Sequence, residues 1–143
     1  MRVIEWDMGH RVVGHEGKCA NLHGHRYRAE IHARALGLDA VGRVIDFSVL
    51  KSAIGGWIDD EWDHKTALYV EDPLLQVFQN AGQELSDFVV GKSLAVVSFN
   101  PTAENIASYL LNTVCARHLN GITVKAFKVT VWETPNCSAT AEL

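Results

Sequence analysis

His23-Gly24-His25 sets two imidazoles two residues apart. In an extended segment such residues project to the same side of the chain, so both rings can reach one metal ion at about 2.0–2.1 Å. His10 supplies a third ring if the segment that ends there pairs with the one that begins near His25. Three histidines with an open fourth position describe a catalytic zinc site rather than a closed structural one. An H-x-H pair also arises by chance on surface strands, so these two residues alone leave both readings open.

Cys19 lies four residues before His23. Near a divalent cation a thiol loses much of its proton affinity, which suits Cys19 to act as base or nucleophile. Most free cysteines are small buried apolar residues, but the neighbours Glu16, Gly17, Lys18 and Asn21 argue against a core position here. Cys115, on the apolar side of a helix, fits the core role. With Cys137 the three form an odd set without C-x-x-C spacing, as expected of free thiols in a reducing compartment. Asp63-His64 pairs a carboxylate with an imidazole it can orient and charge, the makings of a proton shuttle near pH 7. Adjacent acid and histidine are also common by chance. Glu133, at the end of a β-branched run, is either a solvent-facing strand terminus or an anchor for an amidine-like N–H pair.

These residues need elements to position them. Tyr27, Ile31, Ala33 and Ala35 alternate with Arg26, Arg28, Glu30, His32 and Arg34, which predicts a strand over 26–36 with one face covered. Residues 3–6 make an antiparallel partner strand, and the polar stretch 11–22 between them is long enough to suggest a functional loop. Asp46 or Ser48 caps a helix with Phe47, Leu50, Ile54, Trp57 and Ile58 at helical spacing, although Gly55-Gly56 weakens it by about 1 kcal/mol per residue. Asp72-Pro73 opens a second helix running to Leu85. A strand follows over 94–99. Thr102 starts a helix whose stripe is Ile106, Leu110, Leu111 and Val114, stopped at Asn120-Gly121. The final strand, 124–133, ends before Pro135, and its alternation slips between Ala126 and Phe127, which predicts a bulge. The order fits an α+β domain with antiparallel strand pairs and helices to one side.

Composition narrows the partners. The 143 residues carry 13 Lys and Arg against 17 Asp and Glu, for a net charge of −4, with 48% hydrophobic residues. Such a chain forms one domain over residues 1–143, large enough to fold without a metal staple, so a metal here is functional. The mild acidity argues against broad nucleic-acid binding. No apolar run approaches a membrane span, and the first residues lack a signal-peptide core, so the expected location is cytoplasmic.

Taken in order, His10-Arg11, Cys19-Ala-Asn-Leu-His23-Gly-His25, Val44-Ile-Asp-Phe47, Asp63-His64-Lys65, Asn100-Pro-Thr-Ala-Glu-Asn105 and Trp132-Glu-Thr134 resemble the 6-pyruvoyl tetrahydropterin synthase and 6-carboxytetrahydropterin synthase family, over nearly the whole chain. The resemblance implies the tunnelling fold: a four-stranded antiparallel sheet with helices on one face, which oligomerises into a barrel, with active sites between subunits and a hexamer as the first expectation. It implies zinc on His10, His23 and His25, Cys19 as proton-abstracting base with an Asp63-His64 relay, Glu133 gripping the pterin ring and Thr102 lining the pocket. The implied substrate is 7,8-dihydroneopterin triphosphate. The Cys19-x-x-x-His23 gap resembles the 6-carboxytetrahydropterin synthases, lyases of 7-deazaguanine and queuosine biosynthesis that release acetaldehyde and triphosphate; pyruvoyl-type members usually have a longer gap. Trp62 and Met8-Gly9 depart from the usual residues at their positions without touching an implied ligand. The alternatives are a 6-pyruvoyl tetrahydropterin synthase, a non-catalytic pterin-binding zinc protein, and a structural zinc domain that unfolds on chelation.

Overall fold

The computed structural model describes residues 1–143 except 86 and 88. Its centre is the antiparallel pair of β1 (Arg2–His10) and β2 (His23–Ala35), in register from Arg2 opposite Ile31 to His10 opposite His23. Ile4, Trp6, Met8 and His10 of β1, with Tyr27, Ala29 and Ile31 of β2, point to one side and are buried, while the alternate residues face outward. Hydrophobic alternation thus fixes which face the helices cover.

β2 continues antiparallel to β5 (Val124–Thr134), which pairs antiparallel with β6 (Cys137–Glu142). On the other side β1 pairs in parallel with β3 (Lys65–Tyr69), and β3 in parallel with β4 (Leu94–Val97). The sheet is therefore six-stranded and mixed, in the order β4-β3-β1-β2-β5-β6. Of the four expected strands, three are antiparallel neighbours as expected, β1, β2 and β5, whereas the fourth, β4, predicted over 94–99, pairs in parallel with β3 instead. β3 and β6 come in addition. The chain does not end its pairing at Pro135: Pro135-Asn136 is the two-residue turn that folds β6 back on β5. The predicted bulge is present, since His32 faces Lys128 and Ala33 faces Ala126, leaving Phe127 as the extra residue.

Asp46 caps α1 (Phe47–Leu50), accepting from the Ser48 N–H at 2.8 Å. The helix passes through a π-helical turn, Lys51–Gly55, into α2 (Gly56–Glu61), and buries Leu50, Ile54 and Ile58 against the sheet. Tertiary packing holds the weak Gly55-Gly56 step: Gly55 is buried, facing the Ile4 side chain. α3 (Pro73–Glu84) has the expected Asp72 cap, and the short α4 (Val90–Ser93) leads into β4. α5 (Ala103–Tyr109), capped by Thr102, runs on through a π-helical turn, Leu110–Cys115, into α6 (Ala116–His118). Ile106, Leu110, Leu111 and Val114 are all buried. No helix among the described residues is long and apolar enough to cross a membrane.

Candidate metal centre

The ends of β1 and β2 bring His10, His23 and His25 together. His10 stands opposite His23 in the register, and His23 and His25 share the covered face. Ring centroids lie 4.5 Å (His10 to His23), 5.1 Å (His10 to His25) and 5.0 Å (His23 to His25) apart. One ligand nitrogen from each falls within 4.8 Å of the others. Gly24 permits the close approach of the two strands here, because a Cβ on it would lie 3.0 Å from the Met8 carbonyl oxygen.

The hydrogen bonds orient the rings for a metal. His10 Nδ1–H donates to the Pro101 carbonyl and His23 Nδ1–H to the Asn21 carbonyl, each at 2.7 Å. His10 Nε2 and His25 Nε2 are buried with no hydrogen-bond partner. Orphaned imidazole nitrogens are costly in a protein interior unless something fills the space between them, and a cation does so. Burial, opposed by the Pro101 bond and reinforced by the charges of His23 and His25, lowers His10 to about 4. Burial and His23 lower His25 as well. Both rings are thus held neutral, the state in which imidazole binds a metal. The donor set of three imidazoles fits zinc.

Glu133, at the end of β5, reaches the same cluster: its Oε1 lies 3.8 Å from His10 Nε2. Tyr27, fully buried two residues beyond His25 on the same strand face, packs edge-on to His10 and His25 and donates its hydroxyl to Glu133 Oε1 at 3.4 Å. Burial raises the Glu133 carboxyl, the Tyr27 bond and the His23 charge lower it, and Glu104 raises it; the net shift is upward. Thr102 caps α5 beside Pro101, accepting from the Asn105 N–H at 3.3 Å. The half-buried Cys19 lies in the short 3₁₀ turn Lys18–Ala20.

Asp63 and His64 form the expected pair, Nδ1–H donating to Asp63 Oδ2 at 2.7 Å. Asp63 Oδ1 accepts from the Asp7 N–H at 2.9 Å, and the His64 N–H donates to the Asp7 carbonyl at 2.7 Å. Burial would raise Asp63, but the Asp7 amide, His64 and Arg26 together outweigh it and lower the carboxyl. His64 holds a positive φ of 59° and is 77% exposed in its side chain. It opens onto a cleft of about 470 Å³ lined by Asp7, Gly9, Arg26, Lys65 and Thr66. Within one chain this cleft includes His25 but not Cys19, His10, His23 or Glu133. The geometry therefore joins the three histidines, Glu133 and the loop before α5, whereas His64 opens onto a cleft that shares only His25 with them. Sequence reasoning gave Tyr27 no role in the site, and quoted Pro101 only within the Asn100–Asn105 run without assigning it a role. Tyr27 was legible as the next residue in step with His23 and His25, whereas the Pro101 carbonyl carries no sequence signal.

A sequence model described as 6-pyruvoyl tetrahydropterin synthase matches residues 1–143. A Rickettsia felis protein named 6-carboxy-5,6,7,8-tetrahydropterin synthase is 39% identical over 136 residues, covering 95% of this chain and 94% of its own. A Halobacterium salinarum protein named as a probable 6-carboxy-5,6,7,8-tetrahydropterin synthase is 33% identical, covering 96% and 82%. Among solved structures, an uncharacterized Wolinella succinogenes protein superposes with a TM-score of 0.83 at 26% identity, over 99% of this chain and 95% of that one. The 6-pyruvoyl tetrahydropterin synthase of Caenorhabditis elegans shares the fold, with a TM-score of 0.66 at 23% identity over 99% and 92%.

Proposed function

Because the chain belongs to the 6-pyruvoyl tetrahydropterin synthase family, we propose that it is a zinc-dependent 6-carboxy-5,6,7,8-tetrahydropterin synthase, a lyase acting on 7,8-dihydroneopterin triphosphate. With one water consumed, the products are 6-carboxytetrahydropterin, acetaldehyde and triphosphate, a precursor-forming step for 7-deazaguanine nucleosides such as queuosine. One observation carries the reading: the converging nitrogens of His10, His23 and His25 lie beside Glu133, so a ring anchored on the carboxylate presents its side chain to the metal centre. The Cys19-x-x-x-His23 spacing favours the carboxy over the pyruvoyl product.

His10, His23 and His25 would hold the zinc, which when bound supplies Lewis-acid polarisation of the substrate's side-chain oxygens. Glu133 accepts two N–H bonds from the amino-pyrimidine edge of the pterin, and the Tyr27 hydroxyl holds Oε1 in place for this. Thr102 lines the pocket at the α5 start. Cys19 Sγ takes a proton from a side-chain carbon. His64 carries its fixed proton on Nδ1 toward Asp63, which leaves Nε2 to exchange a proton with substrate or thiol. His64 faces a different cleft from its own chain's Cys19, so in this reading it serves the site of a neighbouring copy in a homo-oligomer, a hexamer first. Such an enzyme acts in the cytoplasm on a small pterin substrate.

Triphosphate release tests catalysis against the pterin-binding reading. Metal-loaded protein incubated with 7,8-dihydroneopterin triphosphate should release triphosphate over many turnovers. Tight substrate binding without release would favour a non-catalytic pterin-binding protein.

A further inference from the structure

Cys19 sits in a segment with little regular structure of its own: residues 11–22 contain a tight turn at Val13-Gly14, the 3₁₀ turn Lys18–Ala20 and no strand. Besides the His23 ring, which donates to the Asn21 carbonyl, two side chains tie the first part of this segment to the body of the protein. Arg11 Nε donates to the buried Asp72 Oδ2 at 2.8 Å, at the segment's start. Further along, Asn100 grips Val13 from both sides of its amide: Oδ1 accepts from the Val13 N–H at 2.9 Å, and Nδ2 donates to the Val13 carbonyl at 2.8 Å. One asparagine side chain thus does what a paired strand would do for one residue.

The grip reaches the backbone that carries the thiol through one further hydrogen bond. Val12, next to the gripped residue, donates its N–H to the Cys19 carbonyl at 2.8 Å. Asn100 is itself fixed, since its carbonyl accepts from Asn105 Nδ2 at 2.9 Å and from the Thr102 N–H at 2.8 Å. Its neighbour Pro101 accepts from His10 Nδ1. A single short loop therefore sets the His10 ring and, through Asn100, the backbone that carries Cys19.

We propose that Asn100 is a positioning residue that holds Cys19 in register with the metal centre, an inference that rests on the reading of Cys19 as the base. The amide is the required group because it presents an acceptor and a donor at the spacing of one residue's N–H and C=O. Leucine has similar bulk and neither group. Aspartate keeps the acceptor for Val13 N–H but turns an oxygen toward the Val13 carbonyl.

The test measures metal content, steady-state turnover and iodoacetamide labelling of Cys19 in wild type, Asn100→Leu, Asn100→Asp, Cys19→Ala and the Cys19→Ala/Asn100→Leu pair. Asn100→Leu should keep its metal and a KM within about twofold, lose roughly ten- to hundred-fold in kcat, and label Cys19 several-fold faster, as expected when a reacting group is misplaced by about an ångström. Asn100→Asp should fall between wild type and leucine, and it carries the same measurements if leucine prevents folding. In the Cys19→Ala background Asn100→Leu should cost nothing further, because it acts through that sulfur. Wild-type kcat in Asn100→Leu, or an equal loss in the Cys19→Ala background, would overturn the proposal. Turnover that survives Cys19→Ala falls on the base assignment alone; labelling of Cys19 then decides the grip by itself, and an unchanged rate overturns it.

Discussion

His10 Nδ1 and the Pro101 carbonyl oxygen lie 2.7 Å apart although 91 positions separate the residues. A carbonyl only accepts, so Nδ1 carries the proton and Nε2 is left as a lone-pair donor pointing at His23 and His25. The loop before α5 thereby selects the tautomer that binds a metal, and it is the same loop that caps the helix beside Glu133.

His23→Ala should lose metal strongly while the fold survives, since the buried cluster around Trp6, Tyr27 and Ile31 does not depend on an ion. Metal analysis together with circular dichroism checks both halves. Undiminished zinc in this variant would contradict the ligand assignment, and unfolding on chelation of the wild type would favour a structural zinc domain.

Glu133→Gln keeps the size of the side chain and removes its charge. Pterin binding should weaken by about 1.5–3 kcal/mol, the cost of losing charge assistance to hydrogen bonds, with metal content normal. Titration calorimetry with a pterin reads this. Unchanged affinity would place Glu133 outside the pocket.

Cys19→Ala should retain metal and bind substrate yet lose turnover by roughly 10²–10⁴-fold, the usual contribution of a general base. Alkylation of wild type should inactivate it, with bound substrate protecting. Alanine at Cys115 or Cys137 should leave the rate nearly intact. Near-normal turnover in Cys19→Ala would make His64 the better candidate for the base.

Cys115 offers a pH dependence with a definite sign. Burial pushes its thiol up to about 12 from an ordinary 9.0. Below pH 9 the group is protonated in both folded and unfolded chains and contributes no slope. Between about pH 9 and 12 only the unfolded chain ionises, so stability falls as pH rises, by up to about 1.4 kcal/mol per pH unit. Urea midpoints of wild type and Cys115→Ala should converge across this range. Parallel curves would show that the thiol ionises freely in the fold.

Much of this arrangement is legible in the sequence because it is local. The alternation of β2, the Asp46, Asp72 and Thr102 caps, and the slip at Phe127 each follow from neighbouring residues. β3 is illegible because it is five residues long and buries the adjacent Ala67 and Leu68, as a strand paired on both sides can, so it shows no alternation. β6 is illegible for another reason: Cys137-Ser-Ala-Thr-Ala-Glu142 is built of small residues with little hydrophobic contrast. The three histidines could be grouped from spacing once β1 and β2 were paired. The place of His64 could not, since it is set by the parallel β1–β3 pairing, a long-range contact that no local pattern encodes.

The identity of the pterin product tests the central claim most directly. Purified, zinc-loaded protein is incubated with 7,8-dihydroneopterin triphosphate, and the product is identified by mass spectrometry alongside an assay for acetaldehyde. The account predicts 6-carboxytetrahydropterin, with one acetaldehyde formed for each triphosphate released. A product that keeps the full three-carbon side chain, 6-pyruvoyl tetrahydropterin, without acetaldehyde, would contradict it.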